Sequence, residues 1–299
     1  MRTKDLDFIF ISYDEPNAEE NWARLKDQVP WAKRVHGVKG SDAAHKEAAK
    51  LSDTEWFVGV DGDNIVYPQF LKLDIQEQDD IQCYSWCGKN SVNGLMYGNG
   101  GLKIWNKKFA LDMKTHESNG DSIEFCWEQG YRNFPEAFSD SVINKTPYQA
   151  WRAGFREGVK MVTVRGELPP KDKIKTKIYW HNLHRLKVWG TVGRHIVNGN
   201  YAMLGARMGT VFAFSDWNHV NVRDFDELEK IYRENDLQNE INIESKLTEY
   251  RERAIRELGI HWGEFNADQC ESIIELYDEA IKLGSTYYTV KGKIWTSSS

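Results

Sequence analysis

Residues 55–63 read EWFVGVDGD. The apolar run from Trp56 to Val60 is too short for a stable helix and is rich in β-branched and aromatic side chains, so it predicts a buried strand. That strand stops on an acid triplet, Asp61-Gly62-Asp63. Working outward, DFIFIS at residues 7–12 is a second such run, closed by Tyr13-Asp14-Glu15-Pro16. Residues 17–26 have helical spacing, with Trp22 and Leu25 on one face, and residues 32–38 could form a further strand. Ser41-Asp42 then offers an N-cap to a helix carrying Ala43, Ala44, Ala48 and Leu51. Strands alternating with helices at this spacing predict an α/β fold on a mostly parallel sheet. Open α/β sheets bind ligands at the carboxyl ends of their strands, and the acid triplet stands at such an end.

Two carboxylates one residue apart can share a hard divalent cation, Mn2+ or Mg2+, because such ions take oxygen ligands. Gly62 keeps the turn small and lets a diphosphate approach the backbone. The cation can then act as a Lewis acid toward a departing nucleoside diphosphate. An Asp-x-Asp triplet alone is a short motif that solvated loops also produce. Its place at the end of an apolar strand is what gives it weight.

Beyond residue 82 the pattern changes. Short β-like pieces broken by Gly88, Gly94, Gly98, Gly100 and Gly101 predict antiparallel strands through residue 105, with further strands at 123–127 and 137–143. Residues 147–159 look helical, with Trp151 and Phe155 four apart. After about residue 221 the chain turns acidic and helical: Leu247, Tyr250, Ala254 and Leu258 follow a 3–4 spacing, as do Ile273, Leu276, Tyr277 and Ala280. The expected organisation is a main domain over residues 1–220 and a helical C-terminal region over 221–299.

The formal net charge of −6 excludes a wholly basic nucleic-acid coat but not a local basic surface. Twelve Trp are many for 299 residues; most should pack, while some could meet rings or sugars. Cys83 and Cys87 fall inside a strand-like segment, and Cys126 and Cys270 stand apart, so no zinc-ligand spacing arises. They read as reduced core thiols. No apolar stretch reaches membrane-spanning length, and the expectation is a cytoplasmic protein without membrane insertion.

The stretch HKEAAKLSDTEWFVGVDGDNIVYPQF, residues 45–70, resembles the central signature of GT-A glycosyltransferases. DFIFISYDEPNAEENWARL, residues 7–25, resembles that family's first strand and base-receiving loop, and NGLMYGNGGLKIWNK, residues 93–107, its glycine-rich acceptor-side segment. PYQAWRAGFREGVKM and WGTVGRHIVNGNYAMLGARMG, starting at residues 147 and 189, are similar to glycosyltransferase-like proteins of tailed phages, some of which modify hydroxymethylated pyrimidines in DNA.

The resemblance implies a GT-A fold, Rossmann-like with a smaller antiparallel part. It implies that Asp61 and Asp63 hold the metal and, through it, the donor diphosphate. Tyr13, Asp14 and Asp42 would receive the base and ribose of a nucleotide-sugar, with a UDP-sugar expected; N-capping is the plain alternative for Asp42. His181 or His184 would supply a third metal ligand, with His195 a weaker rival. Asp121, Glu124 and Asp140 are the candidates for the catalytic base of an inverting reaction. The chain lacks the Glu-Asp pair of the largest inverting family, which leaves the stereochemistry open. Tyr97, Asn99, Gly100 and Gly101 would face the acceptor, although glycines in a strand also mark bulges.

For the acceptor, residues 171–195 carry the signal. Lys171, Lys173, Lys175, Lys177, Arg185, Lys187 and Arg194 stand against a single acid, Asp172, and Tyr179, Trp180 and Trp189 are interleaved among them. Cations for phosphates and rings for an extruded base suit double-stranded DNA, and the expected acceptor is 5-hydroxymethylcytosine, contacted by Lys175, Lys177, Arg185 and Lys187. A solvated lysine run is the plain alternative. Two rival readings are a glycosyltransferase acting on a glycan, lipid or protein, and a binding module without catalysis.

Overall fold

A computed structural model describes residues 1–113, 130–282 and 295–297. The chain forms two compact units, the first from residues 1–91, 96–142 and 278–299, the second from 92–95 and 143–277.

In the first unit, strands β1 (Asp7–Ser12), β2 (Lys33–His36) and β3 (Trp56–Asp61) lie parallel, with β1 in the middle. Both faces of β1 and β3 are buried, which is why their sequences are continuous apolar runs. Phe8, Phe10, Val58 and Val60 pack on one face with Leu25 of helix α1 (Ala18–Gln28). Ile9, Ile11 and Phe57 pack on the other with Ala44, Ala48 and Ala49 of α2 (Ser41–Leu51). Gly40, at φ +95°, stands at the N-cap of α2, so Ser41 and Asp42 are first-turn residues rather than caps.

Past β3 the chain turns at once into β4 (Asn64–Val66), then β5 (Leu73–Ile75), β6 (Cys83–Asn90) and β7 (Met96–Asn106), which runs into helix α3 (Lys107–Asp112). Strands β8 (Tyr131–Ser141) and β9 (Trp295–Ser297) complete the set. The main sheet has the order β2-β1-β3-β7-β6-β8-β4, and β5 pairs with β9 separately. The fold is thus α/β, on a mixed sheet: β7 is antiparallel to both β3 and β6, β6 is parallel to β8, and β4 is antiparallel to β8. The antiparallel part is as large as the parallel one.

The antiparallel β6–β7 pair has a large irregularity. Trp86 pairs with Leu102 and Gly88 with Tyr97, so Cys87 alone faces the excursion at residues 98–101. Gly98 and Gly101 take positive φ values of 65° and 74° there. The glycine-rich segment is a bulge, and it lies level with the end of β3.

The second unit is helical: α4 (Pro147–Met161), α5 (Trp180–Trp189), α6 (Gly199–Ala213), α7 (Phe225–Glu234), α8 (Ile243–Leu258) and most of α9 (Ala267–Lys282). Its continuous part begins at residue 143, before the boundary expected at 221, because α4 packs on α6 and α6 on α8. Thr146 caps α4 through Gln149 N, and Pro147 occupies its first position. Leu247, Tyr250, Ala254 and Leu258 are buried as their spacing predicts, but Leu276 is exposed. Cys83, Cys87 and Cys270 are buried. Among the described residues no helix is long and apolar enough to cross a membrane.

Candidate functional site

The parallel register places Ile11 opposite Asp61, so the chain leaving β1 and the chain leaving β3 emerge side by side. The Asp-Gly-Asp turn is tied down on several sides. Asn21 of α1 donates to the Gly62 carbonyl (3.0 Å), and Val142 N donates to the Asp63 carbonyl (2.8 Å). Asn64, almost fully buried, donates from Nδ2 to Asp63 Oδ1 (2.8 Å), and its own Oδ1 accepts from Ser139 Oγ (2.7 Å). A carboxylate held by a buried amide that is itself held has one orientation to offer.

Glu15, from the loop after β1, joins the two aspartates. Its Oε2 accepts from Tyr13 N (2.8 Å), and a Cβ on Gly62 would lie only 2.6 Å from that oxygen. Gly62 is therefore required for the approach of a third carboxylate as well as for a tight turn. The electrostatics agree. Asp63 is pushed up to about 6, first by burial and then by the like charges of Asp61 and Glu15. Glu15 is also raised, chiefly by burial, with Asp61 and Asp14 adding to it.

On the other side stands β7. Gly101 lies just beyond the last β3–β7 pair, Val60 with Leu102, and a Cβ there would sit 2.9 Å from Asp61 Oδ2 and collide with the Asn64 amide. Gly100 packs on the backbone of Gly88. Two positions along, Lys103 is buried and brings its Nζ to 4.0 Å from Asp61 Oδ2. Asp61 itself keeps 41% of its side chain exposed, whereas Asp63 is more deeply set behind it.

These oxygens suit a hard divalent cation. Among the described residues no group of three or more His, Cys, Asp or Glu side chains is arranged to hold a metal ion, so a cation here would rest on one or two of these carboxylates. A cation held by one or two carboxylates, with phosphate and water oxygens filling its remaining positions, is the pattern for Mg2+-type sites. The excess of like charge is what such an ion would relieve.

The structure distributes the other expected residues as follows. Tyr13 and Asp14 are exposed beside Glu15. Asp42 is paired with Lys46 one helical turn on (2.7 Å). Asp140 accepts from the Tyr67 hydroxyl (2.5 Å), and strand alternation turns it to the face opposite Ser139. Asp121 and Glu124 lie outside the described residues. So does Cys126. Tyr97 begins the β7 bulge, whose backbone also includes Asn99.

His181, His184, Lys175, Lys177, Arg185 and Lys187 all belong to the second unit. There His181 stacks on Tyr179, with ring centroids 5.4 Å apart and planes 5° apart, and Trp180 meets its edge. Both histidines are lowered, first by burial and then by Arg185, with Lys187 adding to the effect on His184. Trp180 is 66% exposed and Tyr179 47%, and Lys175, Lys177 and Lys187 are exposed as well.

Three contributors escaped the sequence reading: Glu15, Asn64 and Lys103. A signal existed for the lysine, the lone charge inside the strand text LKIW. Also unforeseen is a polar cluster beside β1, where Arg34 donates to Ser12 Oγ (3.0 Å) and pairs with Glu19 (2.7 Å), and His36 Nδ1 meets Ser12 Oγ (3.0 Å). Comparison with protein-family models, curated proteins and solved structures returns no match.

Proposed function

We propose that the chain is a metal-dependent glycosyltransferase of GT-A type, moving a sugar from a nucleotide-sugar, expected to be a UDP-sugar, to an acceptor hydroxyl. One observation carries the reading: three carboxylates, Glu15, Asp61 and Asp63, converge at the carboxyl ends of adjacent parallel strands, with Asp63 pushed up to about 6 by burial and by its neighbours. A divalent cation bound there would supply Lewis acidity toward the departing diphosphate. Asn64 and Asn21 hold the acid turn in register. Tyr13 and Asp14 are exposed beside Glu15; in this reading Tyr13 would stack on the base and Asp14 would accept from ribose hydroxyls.

The acceptor reading rests on the second unit. Exposed Trp180 and Tyr179 set among Lys175, Lys177, Arg185 and Lys187 suit stacking on an extruded base and pairing with phosphates, which favours hydroxymethylated cytosine in DNA. The test has two arms. UDP with Mn2+ should raise the melting temperature more than either alone, and incubation of UDP-sugars with hydroxymethylated DNA should add a hexose or pentose mass to the modified nucleoside. Absence of both the thermal shift and the transfer overturns the enzyme reading. A thermal shift without transfer to DNA retains the donor site and moves the acceptor to a glycan, lipid or protein.

A further inference from the structure

Lys103 stands out as a buried charge with a single loose partner. Its side chain is 4% exposed, and its ammonium makes no hydrogen bond within the described residues. The strand register explains its position. Lys103 pairs with Gly59 across β3–β7, which makes Asp61 its diagonal neighbour on the same face, beyond the last pair of Val60 with Leu102. Gly59 carries no side chain to block the lysine's path. On the other flank Lys103 pairs with Ser85 of β6, which is fully buried and whose Oγ has no hydrogen-bond partner among the described residues. Among the described residues no other carboxylate pairs with the ammonium.

A buried ammonium costs several kcal/mol unless a counter-charge answers it. Here the answer is Asp61 Oδ2, at 4.0 Å, a distance that gives an ion pair without a hydrogen bond. The lysine is thus aimed at the carboxylate group without being locked to it. Fully ionised, Glu15, Asp61 and Asp63 carry three negative charges and Lys103 one positive, which leaves a net −2 for a divalent ion to balance. Lys103 and that ion draw on the same carboxylate.

We propose that Lys103 is a positioning residue that couples cation binding to diphosphate binding, an inference that rests on the metal and nucleotide reading of this site. With no ligand present, the ammonium occupies the field of Asp61 and weakens the hold on a lone cation. A diphosphate arriving with the cation brings its own negative charge, which answers the ammonium and frees Asp61 for the metal. Cation and nucleoside diphosphate therefore bind as a couple, and neither binds well alone.

The test is calorimetric titration of the full chain with Mn2+, with and without UDP, for the wild type, Lys103→Met and Lys103→Arg. Methionine matches the lysine stem in length; it leaves Asp61 without its counter-charge, but that carboxylate is 41% exposed and water can answer it, and a melting curve checks that the variant folds. The wild type should bind Mn2+ at least tenfold more tightly when UDP is present. Lys103→Met should bind Mn2+ alone about tenfold more tightly than the wild type and lose most of the UDP enhancement, and Lys103→Arg should keep it. A merely structural lysine would give the opposite sign, weaker Mn2+ binding in Lys103→Met, and that result overturns the proposal. So does a Lys103→Met variant that couples Mn2+ and UDP as the wild type does, which leaves the glycosyltransferase reading standing. If the wild type binds neither Mn2+ nor UDP, both fall together.

Discussion

The β7 bulge and the α4–α6 helix pair are both glycine-rich, and they use the missing side chain for different ends. At Gly101 a Cβ would meet functional groups, Asp61 Oδ2 and the Asn64 amide. In the helix pair it would meet main chain: Gly154 lies against the Ala202 carbonyl, Gly158 against Ala206, and reciprocally Gly205 against Trp151 and Gly209 against Phe155. A side chain can rotate aside, whereas a helix carbonyl cannot move without its helix. At Gly101 the missing side chain leaves room for two polar side chains; in the helices it leaves room for the neighbouring backbone.

The sharpest way to break that distinction is Gly205→Val. The added methyl groups have only the Trp151 carbonyl and Phe155 amide to displace, so the variant should lose about 3 kcal/mol, at the upper end of overpacking costs. Urea denaturation of the full chain, followed by circular dichroism, checks this. A variant as stable as the wild type would mean that the helix pair yields as easily as the bulge.

Asp63→Asn sharpens the other side, because a residue kept for chemistry can be a burden on folding. A carboxyl whose folded-state value is raised contributes stability that is complete below its unfolded value and lost as pH rises through the folded one. For Asp63 that window runs from its ordinary value near 3.8 up through about 6. In chelator at pH 8 the asparagine variant should therefore be more stable than the wild type, by about 2 kcal/mol after allowing for solvent screening, and the gain should vanish near pH 4. Denaturation midpoints at the two pH values measure it. A loss of stability at pH 8 would place Asp63 with the packing residues.

The smallest effect on folding is expected from Gly101→Ala. The φ of +74° costs an alanine roughly 1 kcal/mol, and the new methyl also displaces the Asn64 amide, which overlaps its ideal position. The melting temperature should fall by only a few degrees while the added stabilisation by Mn2+ with UDP disappears. Retention of that stabilisation would separate the bulge from the site.

Much of this was legible in the text of the chain. The runs DFIFIS and WFVGVD announce central strands because burial on both faces demands continuous apolar sequence. The acid triplet's place at a strand end follows from the same reading. Glu15 was not legible, since a loop acid beside Asp14 and Pro16 looks solvated until the parallel register sets β1 beside β3. Nor was the early start of the helical unit, because α4 has an ordinary amphipathic sequence and only its contacts with α6 tell which unit it joins. Leu276 shows the converse: its spacing predicts burial, yet burial needs a partner surface, and this side chain is left exposed.

By itself, then, the sequence determined what depends on near neighbours: strand and helix identity, the small acid turn, and the clustering of cations and rings at residues 171–195. Tertiary structure decided what depends on distance across strands. It brought a third carboxylate to the acid pair, turned Asp140 away to Tyr67, and set a buried ammonium 4.0 Å from Asp61. The reason is that electrostatic interaction falls with separation in space and with solvent screening, and strand register, which no local pattern encodes, sets both.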